Sequence, residues 1–203
     1  MPTSRLEAFS DGVLTIIITI MVLELKVPDE PTLRALVHTT GISLLTYLLS
    51  FVYVGIYWNN HHHMFQLVRQ IHGGVLWANL ALLFFLSLFP FTTAWVDETD
   101  FQSTPVVIYG INLLAAAIAY FLLQTVVIRQ QGPDSPLRRA IGRDLKGRIS
   151  PVLYLAGILG ALIDRDGHIG AAIGEACFVV VAIMWIVPDR RIERVIRERE
   201  LPG

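Results

Sequence analysis

Charge is the scarcest ingredient of this chain. Only 16% of its 203 residues are Asp, Glu, Lys or Arg, against about a quarter in an ordinary soluble domain. That shortage argues against a water-soluble fold. A basic excess is missing as well: 16 Lys and Arg stand against 17 Asp and Glu, for a net charge of -1. No basic stripe carries interleaved aromatics, so nucleic acid is excluded as a partner. Cysteine occurs once, at Cys177, which rules out an intrachain disulfide or a cysteine-built zinc knuckle and leaves a packing residue. No internal repeat divides the chain into inverted halves. What fills the space is apolar: 54% of residues are hydrophobic, and the mean hydropathy is +0.57. That fraction also excludes disorder.

The apolar residues are grouped. A hydrocarbon core of about 30 Å needs roughly 20 mostly apolar helical residues. No formal charge lies between Arg34 and Arg69, from Gln70 to Val96, or from Phe101 to Ile128. Cys177 to Pro188 is strongly apolar and reaches spanning length by extending back past Glu175 to His168. Two further spans are less plain. Leu6–Val27 carries Glu7, Asp11 and Glu24, and Ile149–Ile163 is short and begins within an amphipathic segment. The expectation is an all-α, polytopic membrane protein with six transmembrane helices, forming a single unit over 1–203. The approximate spans are 6–27, 35–60, 72–96, 104–129, 146–163 and 168–188, with a tail over 189–203. Leu137–Arg148 reads as a basic surface helix after a Gly132-Pro133 loop.

Charge asymmetry sets the expected orientation. With both termini cytoplasmic, thirteen of the 16 basic residues fall inside, and only Lys26, Arg34 and Arg165 fall outside. The positive-inside rule asks for that bias, and an odd number of spans would break it. The expected location is therefore the cell membrane. The first segment lacks the basic start and small-residue cleavage site of a signal peptide. The outer loops are acidic: Asp29 and Glu30, then Asp97, Glu98 and Asp100, then Asp164 and Asp166. This is either ordinary solvated loop charge or a vestibule that concentrates cations.

The first span is the most informative. Phe9, Gly12, Ile16, Thr19 and Leu23 recur at three- and four-residue steps, with Ile20 beside them. By spacing alone such a stripe reads as a seam packed against neighbours. Glu7, Ser10 and Asp11 lie round from it and need partners. The second span supplies candidates in Trp58-Asn59-Asn60-His61-His62-His63, and the third supplies Asn79. Three consecutive histidines point in three directions on a helix and cannot share one metal. One or two of them, with Asn59 or Asn60, are expected to bond Asp11 and Ser10. A Ser–His–Asp hydrolase is disfavoured, since no nucleophile turn or oxyanion motif accompanies these residues. Glu175, beside Gly170-x-x-x-Gly174, is expected to be interfacial, with a buried bonded carboxylate as the alternative. Pro90 kinks or ends a turn. Trp77, Trp95 and Trp185 read as belt or packing residues.

Arg5-x-x-x-Phe9-Ser10-Asp11, the isoleucine-rich run after it, Val22-Leu23-Glu24-Leu25-Lys26 and the Trp58-to-His62 region resemble the transmembrane protein 175 family. These are potassium channels of lysosomes and endosomes, with shorter prokaryotic relatives. Animal members carry two six-helix units per chain, whereas this chain has one. The resemblance implies a homotetramer in the lipid bilayer with helix one lining a central pore. It implies a hydrophobic constriction at Ile16, with Thr19, Ile20 and Leu23 lining the pore beyond it. Arg5, Phe9, Ser10, Asp11, Trp58, Asn59, His61, His62 and Asn79 would form the structural support. K⁺ would be the permeant ion, with no cofactor and no bound metal. No Thr-Val-Gly-Tyr-Gly carbonyl filter is present, so modest selectivity for K⁺ over Na⁺ is expected. No arginine ladder marks a voltage sensor. A secondary or proton-coupled transporter is the alternative. It is disfavoured because the ionisable residues gather near span ends and not at the midplane.

Overall fold

A computed structural model describes residues 2–68, 70–142, 144–163 and 168–186. Arg69, Arg143, Asp164, Arg165, Asp166 and the 189–203 tail, which enter the charge and span arguments, lie outside the described residues. Eight helices occur among those described: α1 (Thr3–Leu23), α2 (Leu33–Gln66), α3 (Gly73–Ser87), α4 (Phe89–Glu98), α5 (Ser103–Gln131), α6 (Pro136–Ile141), α7 (Leu145–Ile163) and α8 (His168–Ile186). Six helical segments are long and apolar enough to cross a membrane, with α3 and α4 together making one. The chain is a multi-pass, all-helical membrane protein.

Local chemistry explains the boundaries. Thr32 caps α2 by accepting the Ala35 N–H at 3.1 Å. The break between α3 and α4 falls at Leu88, two residues before Pro90. Proline has no N–H to offer the preceding turn and its ring crowds that turn's carbonyl. The basic segment expected as one helix over Leu137–Arg148 is divided instead. Gly142 takes a positive φ of 54° and ends α6, and Leu145 opens α7.

α5 is the hub, packed on α3, α4, α6, α7 and α8. Its contacts with α7 and α8 depend on missing side chains. A Cβ on Gly110 would lie 2.5 Å from the Phe178 ring, and one on Gly157 would lie 2.8 Å from that ring and 3.1 Å from the Gly174 carbonyl. Such small residues let transmembrane backbones approach. Around Phe178 sits an aromatic core of Tyr53, Phe89, Tyr109 and Tyr154, with several edge-on ring pairs. Its hydroxyls are used. Tyr53 donates to the Phe178 carbonyl at 2.6 Å, and Ser50 bonds both Thr93 at 2.6 Å and Tyr109 at 3.1 Å. These bonds tie α2 to α4, α5 and α8. Against this body α1 packs by one face on α2, α3 and α4.

Candidate functional site

α1 has two faces, and the seam that packs within the chain is not the one the spacing suggested. Leu6, Ser10, Leu14, Ile17 and Met21 are buried, at steps of three and four that keep them on one side. The Phe9-Gly12-Ile16-Thr19-Leu23 stripe turns away from the rest of the chain. Ile16 is 58% exposed and Leu23 80% exposed; Phe9 and Ile20 are exposed as well. A Cβ on Gly12 would meet nothing within 4 Å. The same outward side carries Thr15 and Thr19, both exposed, whereas Asp11, also exposed, lies round toward α2. Thr15 donates to the Asp11 carbonyl at 2.8 Å and Thr19 to the Ile16 carbonyl at 2.9 Å. Each hydroxyl hydrogen is thus occupied, and the oxygen lone pairs remain for an outside group.

The N-terminal end of α1 is held by two ranks of polar contacts. Positions 7, 10 and 11 on α1 face positions 58, 61 and 62 on α2, both sets spaced i, i+3, i+4. The buried rank runs Ser10–Asn79–His61. Asn79 donates from Nδ2 to Ser10 Oγ at 3.0 Å, while its Oδ1 lies 2.8 Å from His61 Nε2. The amide oxygen only accepts, so His61 carries its proton on Nε2. Ser10 Oγ donates in turn to the Leu6 carbonyl at 2.9 Å. Ser10, Asn79 and His61 are 0%, 2% and 3% exposed, so every polar group in this rank needs the partner it has.

The exposed rank links Asp11 and Glu7 to Trp58 and His62. Trp58 Nε1 donates to Asp11 Oδ1 at 3.0 Å. The His62 ring stacks on Trp58, 5.9 Å between centroids and 12° between planes. Gln66 donates to His62 Nε2 at 2.9 Å, which turns the Nδ1–H toward Glu7 Oε1, 3.8 Å away. The expected histidine–Asp11 bond is absent among the described residues. The indole occupies that place because Trp58 stands one turn nearer Asp11 along α2. Asn60 faces the other way, donating to the Ile56 carbonyl and accepting from Tyr120 through its own carbonyl. Asn59 joins neither rank. Arg5 and Phe9 are exposed on α1 and take no part in these contacts.

Other singled-out residues fall as follows. Glu175 is not interfacial: it lies within α8, with Oε1 buried and without a hydrogen-bond partner among the described residues. Burial there comes from the close α5–α7–α8 packing, which the residue pattern near Gly174 implied only weakly. Asn112 on α5, which sequence reasoning did not single out, has both amide atoms buried without partners among the described residues. A polar residue in a charge-free run was its only signal. At the C-terminal end of α1, Glu24 and Asp97 line a small crevice with Met21 and Tyr47.

Residues 5–90 match the family described as endosomal/lysosomal potassium channel TMEM175. A potassium channel of Chryseobacterium sp. (strain P1-3) is 48% identical over 198 residues, covering 98% of this chain and 100% of that one. A potassium channel of Streptomyces collinus is 31% identical over 68% of this chain and 73% of its own length. The endosomal/lysosomal proton channel TMEM175 of Bos taurus is 30% identical over 69% of this chain but only 33% of its own length. The crystal structure of a lysosomal potassium-selective channel TMEM175 homolog from Chamaesiphon minutus superposes with a TM-score of 0.75 at 29% identity, over 92% of this chain and 97% of that one.

Proposed function

Because the chain belongs to the TMEM175 family, whose members are ion channels and not enzymes, we propose that it conducts K⁺ passively through a pore lined by α1. Four copies surround that pore, in the cell membrane, with both termini cytoplasmic. The observation that carries this reading is the outward face of α1. An apolar stripe with Ile16 at its centre shares that side with exposed Thr15 and Thr19, while the opposite face is fastened by buried polar bonds. A stripe meant only for lipid gains nothing from exposed hydroxyl oxygens with lone pairs to offer. Facing its copies across an axis, Ile16 forms a narrow apolar ring that passes an ion only when partly dehydrated and closes by dewetting. Thr19, one turn on, offers lone pairs to that ion. Ile20 and Leu23 continue the wall. Selectivity for K⁺ over Na⁺ is modest, because aliphatic groups do not replace a hydration shell.

One observation favours the carrier alternative: Glu175 is an ionisable group buried within a span, as coupled transporters require. Flux through the purified chain in liposomes tests both. Passive, K⁺-favouring flux that loses its preference in Ile16→Asn supports the pore. Flux that requires a proton gradient and disappears in Glu175→Gln supports the carrier.

A further inference from the structure

A cavity of about 290 Å³ opens between α2, α5, α7 and α8, well away from the outward face of α1. It is walled by ring faces of Tyr57, Tyr120, Tyr154 and Trp185 and by Ala117 and Phe121. Two of its polar groups are turned to partners elsewhere in the wall. Tyr120 donates to the Asn60 carbonyl at 3.2 Å and Trp185 donates from Nε1 to Ser150 at 2.8 Å. A lining that is predominantly apolar is a poor host for water or a polar solute. It suits hydrocarbon.

Its two margins differ in character. Phe121 and Ile118, which line it on α5, are exposed, so the cavity opens onto an apolar surface of the kind that faces hydrocarbon in a membrane-spanning helix. At the α7 N-terminal end the lining ends in Asp144 and Arg148. Asp144 is occupied as a cap, accepting the Gly147 N–H at 2.8 Å. Arg148 has no ion-pair partner among the described residues. Arg138 and Arg139 on α6 and Lys146, 5.8 Å from the Trp185 ring centroid, add positive charge at the same end. Basic pockets between transmembrane helices suit anionic head groups. We propose that this cavity holds one acyl chain of an anionic phospholipid from the leaflet at the α7 N-terminal end, with its phosphate against Arg148.

Trp185 supplies the probe. The full chain is reconstituted in phosphatidylcholine vesicles carrying either brominated phosphatidylglycerol or brominated phosphatidylcholine. The quenching of Trp185 is taken as the difference between the parent and Trp185→Phe. The expected result is an apparent preference of about fivefold for the anionic lipid, the contribution of roughly one basic residue at a membrane surface. That preference falls to about onefold in Arg148→Gln. Ala117→Phe, which fills the cavity, reduces quenching by both lipids. Equal quenching by the two lipids in the parent, or a preference retained in Arg148→Gln, overturns the head-group assignment. Quenching undiminished in a folded Ala117→Phe overturns the cavity.

Discussion

Asn79 holds α1 to α2 through two bonds, and its removal has a cost that the structure lets one work out. In Asn79→Ala, His61 loses the acceptor at 2.8 Å and its Nε2–H is left buried. An orphaned buried donor costs about 1–3 kcal/mol. Ser10 loses a donor at 3.0 Å but keeps its own bond to Leu6, a smaller loss of about 0.5–1.5 kcal/mol. The total expected is roughly 2–4 kcal/mol. Trp58→Phe breaks a single bond at an exposed carboxylate, where water replaces the indole, and should cost about 1 kcal/mol or less. Measured interhelical hydrogen bonds in membranes are modest, so the Ser10→Ala and Asn79→Ala pair should couple by about 1 kcal/mol. The assay is detergent-denaturant unfolding followed by circular dichroism, on the single variants and the double. Equal losses for Asn79→Ala and Trp58→Phe would refute the burial argument. Strictly additive effects of Ser10→Ala and Asn79→Ala would refute the chain of bonds.

Other predictions follow from the same geometry. Thr19→Val leaves stability within about 0.5 kcal/mol, since the site is exposed, but lowers the K⁺-to-Na⁺ flux ratio in liposomes. Gly157→Ala forces a methyl against Phe178 and the Gly174 backbone and lowers unfolding stability by about 1–3 kcal/mol. Glu175→Met replaces a buried carboxyl that has an unpartnered oxygen and raises the melting temperature, because burying polar groups without bonds is unfavourable. In the channel reading it leaves K⁺ flux intact.

Six spans were legible in the sequence because a bilayer tolerates charge only at its margins, and the long runs between Arg34 and Ile128 announce three of them. The direction in which α1 faces was not legible. In water, burial separates apolar from polar residues, so a stripe identifies the packed side. In lipid that contrast fades, and α1 carries two apolar stripes of similar period. Ser10 was the better guide: a small hydroxyl on the Leu6–Met21 face implied a partner across a helix boundary, and Asn79 was the candidate in reach. The donor to Asp11 escaped sequence reasoning because histidine and tryptophan both donate, and the choice is set by where one turn of α2 stands against α1. Gly142 likewise divides a segment whose basic pattern reads as continuous.

The break at Leu88 separates the third span into two stiff rods. The shorter, α4, is ten residues, about 15 Å long at 1.5 Å per residue. A swing of about 10° about Leu88 would carry Glu98 through roughly 2.5 Å at that length, while Asn79, on the other rod, stays still. Load on the Asp97 and Glu98 end of this span therefore reaches Asn79 not along one continuous helix but through α1, α2 and α5, on which α4 packs.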